Sequence, residues 1–462
     1  MSEAIQPTSQ AKAGAVFRWV MFAGLLLSLA ANVPGQLSVD SVVALTEART
    51  GVRQTWAPAA ASWLLKPFDH LVAGTGLYIT ASAALLFLSL MSLARLRPRS
   101  RWWAPVLGVA LILTPQLLIY QGIVWRDVLF ANLAIAGFVM IAHAAQGWRD
   151  GRRWLPVTGA VVCLALATIT RQNGAVLAVA AAGVLAWTAY CRADGRGDWR
   201  AAAAWGLGAL AAIGLLAFGL NRAAQPPEVP AKLRLNSAAL ILEHYDVVGA
   251  KVRSPRLRFK EIAKADPAAA ALLEDQAAGV YSAQRVDTLD ANDAYRRTLW
   301  HVPDAAMNAQ WRRIILHYPA AYLRHRLGVF HWTFLTPDLQ RCLPVTVGVT
   351  GPAGMLQDLD MLTGVDPQDV GVAKYARAFY DTPVFSHLTW AIVAAAMIGW
   401  LLRRRDPADW AMIGLMGGAL VFTASFFVIS VACDYRYLYL LDVAAMTGAL
   451  YVALDPPRWR KA

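Results

Sequence analysis

The stretch QGIVWRDVLF (121–130) sets Arg126 and Asp127 at the mouth of an apolar run that continues to about residue 146. Ionisable groups at the end of such a run are costly unless they pair or face water, so this pair needs a reason. The run itself decides the fold class. About 20 apolar residues span the hydrocarbon core of a bilayer, and the chain repeats runs of this kind. Ten candidates read as 15–33, 72–94, 103–120, 128–146, 155–170, 174–191, 202–220, 384–402, 410–431 and 437–454. The expected architecture is an all-α polytopic membrane protein of about ten transmembrane helices with a mainly helical extracytoplasmic domain.

Composition agrees. The 462 residues are 57% hydrophobic and 16% charged, with a mean hydropathy of +0.42. Soluble domains average about 45–50% apolar and about 25% charged. Eighteen Trp, many beside the apolar runs, suit interfacial belts. The first run follows Arg18 as a signal peptide would, but it is long and lacks a clear small-residue cleavage site, so it reads as a retained span.

The net charge of +13 raises the question of nucleic acid, and the distribution answers it. RLRPRSR (95–101), WRDGRR (148–153), RADGRGDWR (192–200), RRR (403–405) and the tail RWRK (458–461) hold much of the basic excess. They alternate with connections nearly free of Lys and Arg, which puts the basic loops on the cytoplasmic side. Ten crossings then place both termini in the cytoplasm. The excess is topological and calls for no nucleic-acid partner.

Three regions follow: an N-terminal membrane module (1–220, seven helices, first outer loop 34–71), an extracytoplasmic domain (221–383) opening with AAQPPEVP (223–230), and a C-terminal membrane module (384–462, three helices). Within the middle region DAAMNAQWRRIILHYPAAYLRHRLGVFHWTF (304–334) reads as two helices parted at Pro319, which suits a first helical turn. Leu323, Leu327 and Phe330 beside Arg324, His325 and Arg326 fit either a helix in the membrane interface or an ordinary amphipathic helix.

The outer connections carry few charges, and these cluster. Arg126 and Asp127 follow the third span, TRQNG (170–174) the fifth, and CDYRY (433–437) the ninth, while NVPGQLSVDS (32–41) puts Asp40 just beyond the first. A single Arg at a span end usually snorkels to headgroups, and a lone loop Asp is usually solvated. The joint pattern, with Asp beside Arg and Asn173 and Gly174 after Arg171, points to one polar pocket at the outer interface. Asp442, about two helical turns deeper than Asp434, is either the floor of that pocket or a buried structural pair. Arginine grips phosphate oxygens in a bidentate fork. A carboxylate deprotonates a hydroxyl or binds a hard cation. Both at membrane level suit an amphiphilic phosphate such as a polyprenyl phosphate.

These residues resemble the GT-C superfamily of polytopic glycosyltransferases, which includes protein mannosyltransferases, the aminoarabinose transferases of lipid A and O-antigen glucosyltransferases. The likeness is carried by PGQLSVDSVVALTEARTGVRQTWAP (34–58), WRDVLFANL (125–133), TRQNGAVL (170–177), HYPAAYLRHRLGVF (317–330) and DYRYLYLL (434–441). It implies a multi-pass protein of the bacterial inner membrane whose active site faces the periplasm. The implied activity moves a sugar from a polyprenyl-phosphate-linked donor to a glycan, lipid or protein acceptor of the cell envelope, such as lipopolysaccharide, probable inversion being implied by a single displacement. By the same resemblance Asp40 is the catalytic base or a metal ligand and Asp127 assists or positions the acceptor. Arg126, Arg171 and Arg436 hold the donor phosphate, with Asn173, Asp434 and Tyr437 in support. Family members often have two adjacent acidic residues in the first loop where this chain has Asp40 then Ser41, which leaves open a divalent metal (Mg or Mn) on Asp40 and Asp127. Arg126 stands where Lys is common.

Two other classes remain open. A transporter or flippase would place its essential charges nearer the midplane, at Asp442 and His387, and a non-catalytic assembly partner would tolerate loss of each outer Arg. Cys342 and Cys433 both fall on the outer side and are either bonded or separate thiols. The four cysteines match no zinc spacing.

Overall fold

The run that opens with Arg126 is the helix Arg126–Gln146, and it lies at the centre of the bundle with nearly every side chain buried. The computed structural model describes residues 9–55, 57–192, 197–225 and 237–456. Among them the fold is all-α, and β pairing is confined to isolated bridges. The helix Tyr439–Leu454 is the second fully enclosed element. Around these two pack Ser9–Asn32, Gly76–Leu96, Trp154–Thr170, Ala175–Arg192, Trp199–Ala224, His387–Arg404 and Pro407–Ile429.

Among the described residues six helices are long and apolar enough to cross a membrane, or seven if a bent pair counts as one span, against the ten expected. The helices Trp154–Thr170 and Ala175–Cys191 are apolar but shorter. The expected span 103–120 is two helical pieces meeting at 75°. Pro115 begins the second piece and has no N–H to continue the first, and Thr114 before it is extended.

Large apolar side chains face outward around the bundle, among them Trp19, Leu26, Leu88, Val106, Leu155, Leu207, Leu215, Phe218, Ile392 and Val421. In water that surface would be a liability; in lipid it is the expected solvent-facing belt. The helix Trp199–Ala224 shows the logic. It buries Ala209, Ile213 and Ala217, one four-residue stripe, against Ala175–Arg192 and leaves Leu207, Leu210 and Leu215 outside. Small residues let membrane helices approach closely where no hydrophobic drive pulls them together.

A second hydrophobic core lies within residues 245–329, built from Tyr245, Val248, Phe259, Leu273, Tyr295, Met307, Ile314 and Val329. The helix Pro319–Leu335 starts at Pro319 as its sequence predicts. Its faces are the reverse of the amphipathic expectation, with His325 and Arg326 wholly buried and Leu323 and Leu327 exposed. The buried face is stabilised by Asp246, 3.0 Å from His325 Nε2 and paired with Arg326.

The far end of the bundle is closed by charge. Arg97 Nη1 lies 2.7 Å from Asp406 and its Nη2 lies 2.6 Å from Asp409. Arg404 Nη2 is also 2.6 Å from Asp409, and Tyr451 donates to the same carboxylate at 2.8 Å. Part of the basic excess at 95–101 and 403–405 thus crosslinks helices rather than only marking a side. Asp409 is fully buried, so Asp409→Ala strands two guanidiniums at a cost of about 3–5 kcal/mol. We expect a clear drop in melting temperature of the detergent-solubilised protein, larger than for the half-exposed Asp406→Ala.

Candidate active site

The first outer loop is threaded between two other segments. Gly35 turns the chain with φ 122°, a conformation that favours glycine. Gln36 N–H then donates to Gly122 O at 2.8 Å, and Val124 N–H to Gln36 O at 3.0 Å. On the other side Leu37 N–H donates to Gly348 O and Thr350 N–H to Leu37 O, both at 2.9 Å. Gly122 permits this approach because a Cβ there would fall 2.0 Å from that of Asn32. The helix Val39–Thr50 begins next, and Ser41 Oγ accepts the Ser38 N–H at 3.1 Å and donates to Val124 O at 2.8 Å. Ser41, which departs from the family's paired acidic residues, is a capping residue here. Asp40 falls in the first helical turn, where an anion is favoured.

The segment 430–438 is held just as firmly from the other direction. Arg326 Nη1 donates to Ser430 O at 2.8 Å, Val286 N–H to Val431 O at 2.8 Å, and Cys433 N–H to Gln284 O at 2.8 Å. A disulfide joins Cys342 to Cys433, answering the question left open by the sequence. Asp434 and Arg436 follow directly.

These two segments meet at Arg436. Its Nη2 lies 2.5 Å from Asp40 Oδ2 and 3.1 Å from Asp434 Oδ2, and its Nε lies 3.9 Å from Asp127 Oδ2. Its guanidinium also sits over the Trp125 ring at 4.9 Å. Arg171 Nη1 is 2.7 Å from Asp127 Oδ1, and its guanidinium sits over Tyr437 at 5.1 Å and Phe426 at 5.4 Å. Four sequence-distant pieces therefore share one charge network, as the clustering of outer charges predicts.

A cavity of about 780 Å³ opens above this network. Asp40, Arg126, Asp434, Arg436 and Tyr437 line it. Asp127 and Arg171 do not; both are buried beneath, paired with each other. Asn173 also lies off the cavity, donating to Ser425 Oγ at 2.9 Å and tying its turn to the helix Pro407–Ile429. Asp442 takes the structural alternative. It is fully buried, 2.8 Å from His387 Nδ1 and accepting from Tyr435 at 2.7 Å, away from the cavity lining. Arg285, 3.5 Å from Asp434, and Trp125 also line the cavity and were not singled out by the sequence. Trp125 adjoins Arg126 and could have been noticed, whereas Arg285 carries no local signal.

Asp40 stands in a recess with its side chain 58% accessible. Burial pushes its carboxyl up, but Arg436 and then Arg126 outweigh this and hold it below the usual carboxylate range. Burial raises Asp434 despite Arg436 beside it. Of the two, Asp40 is the more accessible carboxylate. Among the described residues no three His, Cys, Asp or Glu side chains gather as a metal site would require. Arg436 lies between Asp40 and Asp127 and reaches both, and Arg171 takes the other oxygen of Asp127. That donor set does not fit a shared Mg or Mn ion.

No family model matches the chain, and no curated protein matches it. Among solved structures it is similar to the archaeal oligosaccharyltransferase AglB from Archaeoglobus fulgidus in complex with an inhibitory peptide and a dolichol-phosphate. The TM-score is 0.39 at 11% sequence identity, covering 95% of this chain and 50% of that one. The chain thus spans about half the length of that protein.

The disulfide closes a loop of 91 residues around the cavity. We expect Cys342→Ser to abolish the mobility difference between reduced and non-reduced protein on a gel. The same change should lower stability by about 2–4 kcal/mol, read as an earlier thermal transition in detergent.

Proposed function

We propose that this protein is a membrane glycosyltransferase moving a sugar from a polyprenyl-phosphate donor to a cell-envelope acceptor on the outer face of the bacterial inner membrane. The observation that carries the reading is the Asp40–Arg436 pair on the wall of a cavity at one end of the apolar bundle. It supplies an accessible carboxylate and a guanidinium within one substrate's reach. Arg126 on the same wall adds a second cationic group.

The chemistry follows from those positions. The donor phosphate binds Arg436 and Arg126 and draws the Arg436 fork away from Asp40. Asp40, relieved of its partner, becomes the stronger base and accepts the proton of an acceptor hydroxyl. The acceptor oxygen forms its bond to the anomeric carbon as the bond from that carbon to phosphate oxygen breaks. The electron pair leaves with the polyprenyl phosphate, whose charge the arginines stabilise. One displacement inverts the anomeric centre. In this reading Asp127 and Arg171 are positioning residues that fix Arg436 from below, and Asp434 fixes it from the side. No step is routed through a metal ion.

Asp40→Asn should remove transfer while the protein remains folded in the membrane. Cells with the intact gene, the deletion and Asp40→Asn are compared for surface glycans and polyprenyl-linked sugars. A missing glycan residue with accumulated donor in the last two supports the assignment, and near-normal glycan in Asp40→Asn ends it.

The low position of Asp40 also sets a pH dependence. Its charged form is present above its depressed pKa and is lost as pH falls through that value, so the acid limb of activity lies below the ordinary carboxylate range. Arg126 is one of the charges holding it down. In Arg126→Gln the acid limb of kcat/KM should move to higher pH, and an unmoved limb would assign it to another group.

A further inference from the structure

The cavity wall is more extensive than the charge network. Asp287, Asp290, Leu299, Trp300 and His244 also contribute to it. None of these belongs to the membrane bundle; they come from the second hydrophobic core and its edges.

Two side chains here are unusual. Trp300 is 45% exposed although it ends a helix of a well-packed unit. His244 is the reverse, 2% exposed, with neither ring nitrogen hydrogen-bonded among the described residues. The rings meet edge to face, with centroids 4.8 Å apart at 81°. Burial lowers the imidazole to about 4, so the ring is neutral, with one N–H donor and one acceptor. A buried polar group without a partner is rare, and here the ring serves as an edge-to-face support for Trp300. Trp300 Nε1 lies 3.4 Å from Asp290 Oδ1, which ties the indole edge to a carboxylate and leaves a ring face to the cavity.

An aromatic plane rimmed by carboxylates matches one chemical class. A sugar ring presents C–H groups on its face and hydroxyls around its edge. The negative face of indole attracts the former, and the carboxylates accept from the latter. A phosphate would be repelled by Asp287 and Asp290, and a lipid chain would leave all the polar groups unmet.

We propose that the Trp300 wall of the cavity is a carbohydrate subsite that seats a sugar ring of the acceptor, with Trp300 stacked on the ring and Asp290 and Asp287 taking its hydroxyls. This rests on the transferase reading and narrows the acceptor to a glycan. The donor's anomeric carbon stays with Asp40 and Arg436.

The test uses the full chain in lipid nanodiscs and saturation-transfer difference NMR with the methyl pyranosides of glucose, galactose, mannose and N-acetylglucosamine. Saturation should reach at least one glycoside. Trp300→Ala should weaken it roughly tenfold, as loss of one stacked ring does, and Trp300→Phe should retain most of it. No transfer to any glycoside, or equal transfer in Trp300→Ala, overturns the subsite. Trp300 is exposed enough that its loss should leave the melting temperature unchanged, which separates lost binding from lost folding. The glycan analysis of Asp40→Asn judges the transferase reading separately. Normal glycan there together with Trp300-dependent glycoside binding would discard the catalytic assignment while leaving a sugar site.

Discussion

One guanidinium organises this molecule. Arg436 is surrounded by Asp40, Asp434 and, more distantly, Asp127. Without it three carboxylates would face one another in a poorly hydrated recess. With it, segments from the first loop, the central helix and the last helix have a reason to converge. Buried ion pairs of this kind are weak contributors to net stability, because desolvation offsets attraction. Their use is in specifying arrangement, and the arrangement specified here is the wall of the cavity. The proposed chemistry draws on the same feature, since a cation that already balances several anions can be shared with a substrate's phosphate.

The opposite end of the bundle repeats the principle with a different outcome. Arg97, Arg404, Asp409 and Tyr451 form a closed set of mutual pairs that ties helices together. Between the two polar ends the helices meet through alanine, glycine and leucine, and lipid offers little drive to press such surfaces together. Polar clusters at both ends therefore fix how far each helix slides along its neighbours. The Asp442–His387–Tyr435 set adds a third tie close under the cavity.

What was legible in the sequence follows from physics that is local. Apolar runs announce helices, and the helices lie within a few residues of where the runs predict. Pro115 was visible but was read through, because hydropathy alone does not register a missing N–H. The start of the helix Pro319–Leu335 was legible, but its buried charged face was not, because those side chains have partners only in three dimensions; Asp246 lies far from Arg326 in sequence and beside it in space. The convergence of Asp40, Asp127, Arg171 and Arg436 was legible because all four sit at span ends on one side. Their division into cavity wall and buried support was not, since a residue or two of helical phase separates Arg126 from Asp127. Arg285 and His244 come from a region without membrane periodicity to orient them, and nothing near them in the chain marks them out.

The cavity wall draws on residues near both ends of the chain, and the disulfide closes over it from a position 91 residues upstream of its second cysteine. Asp40 and Arg436 are 396 positions apart, so synthesis makes the first loop and the central helix long before the guanidinium that joins them. The recess is therefore completed late, by contacts that close over helices already made.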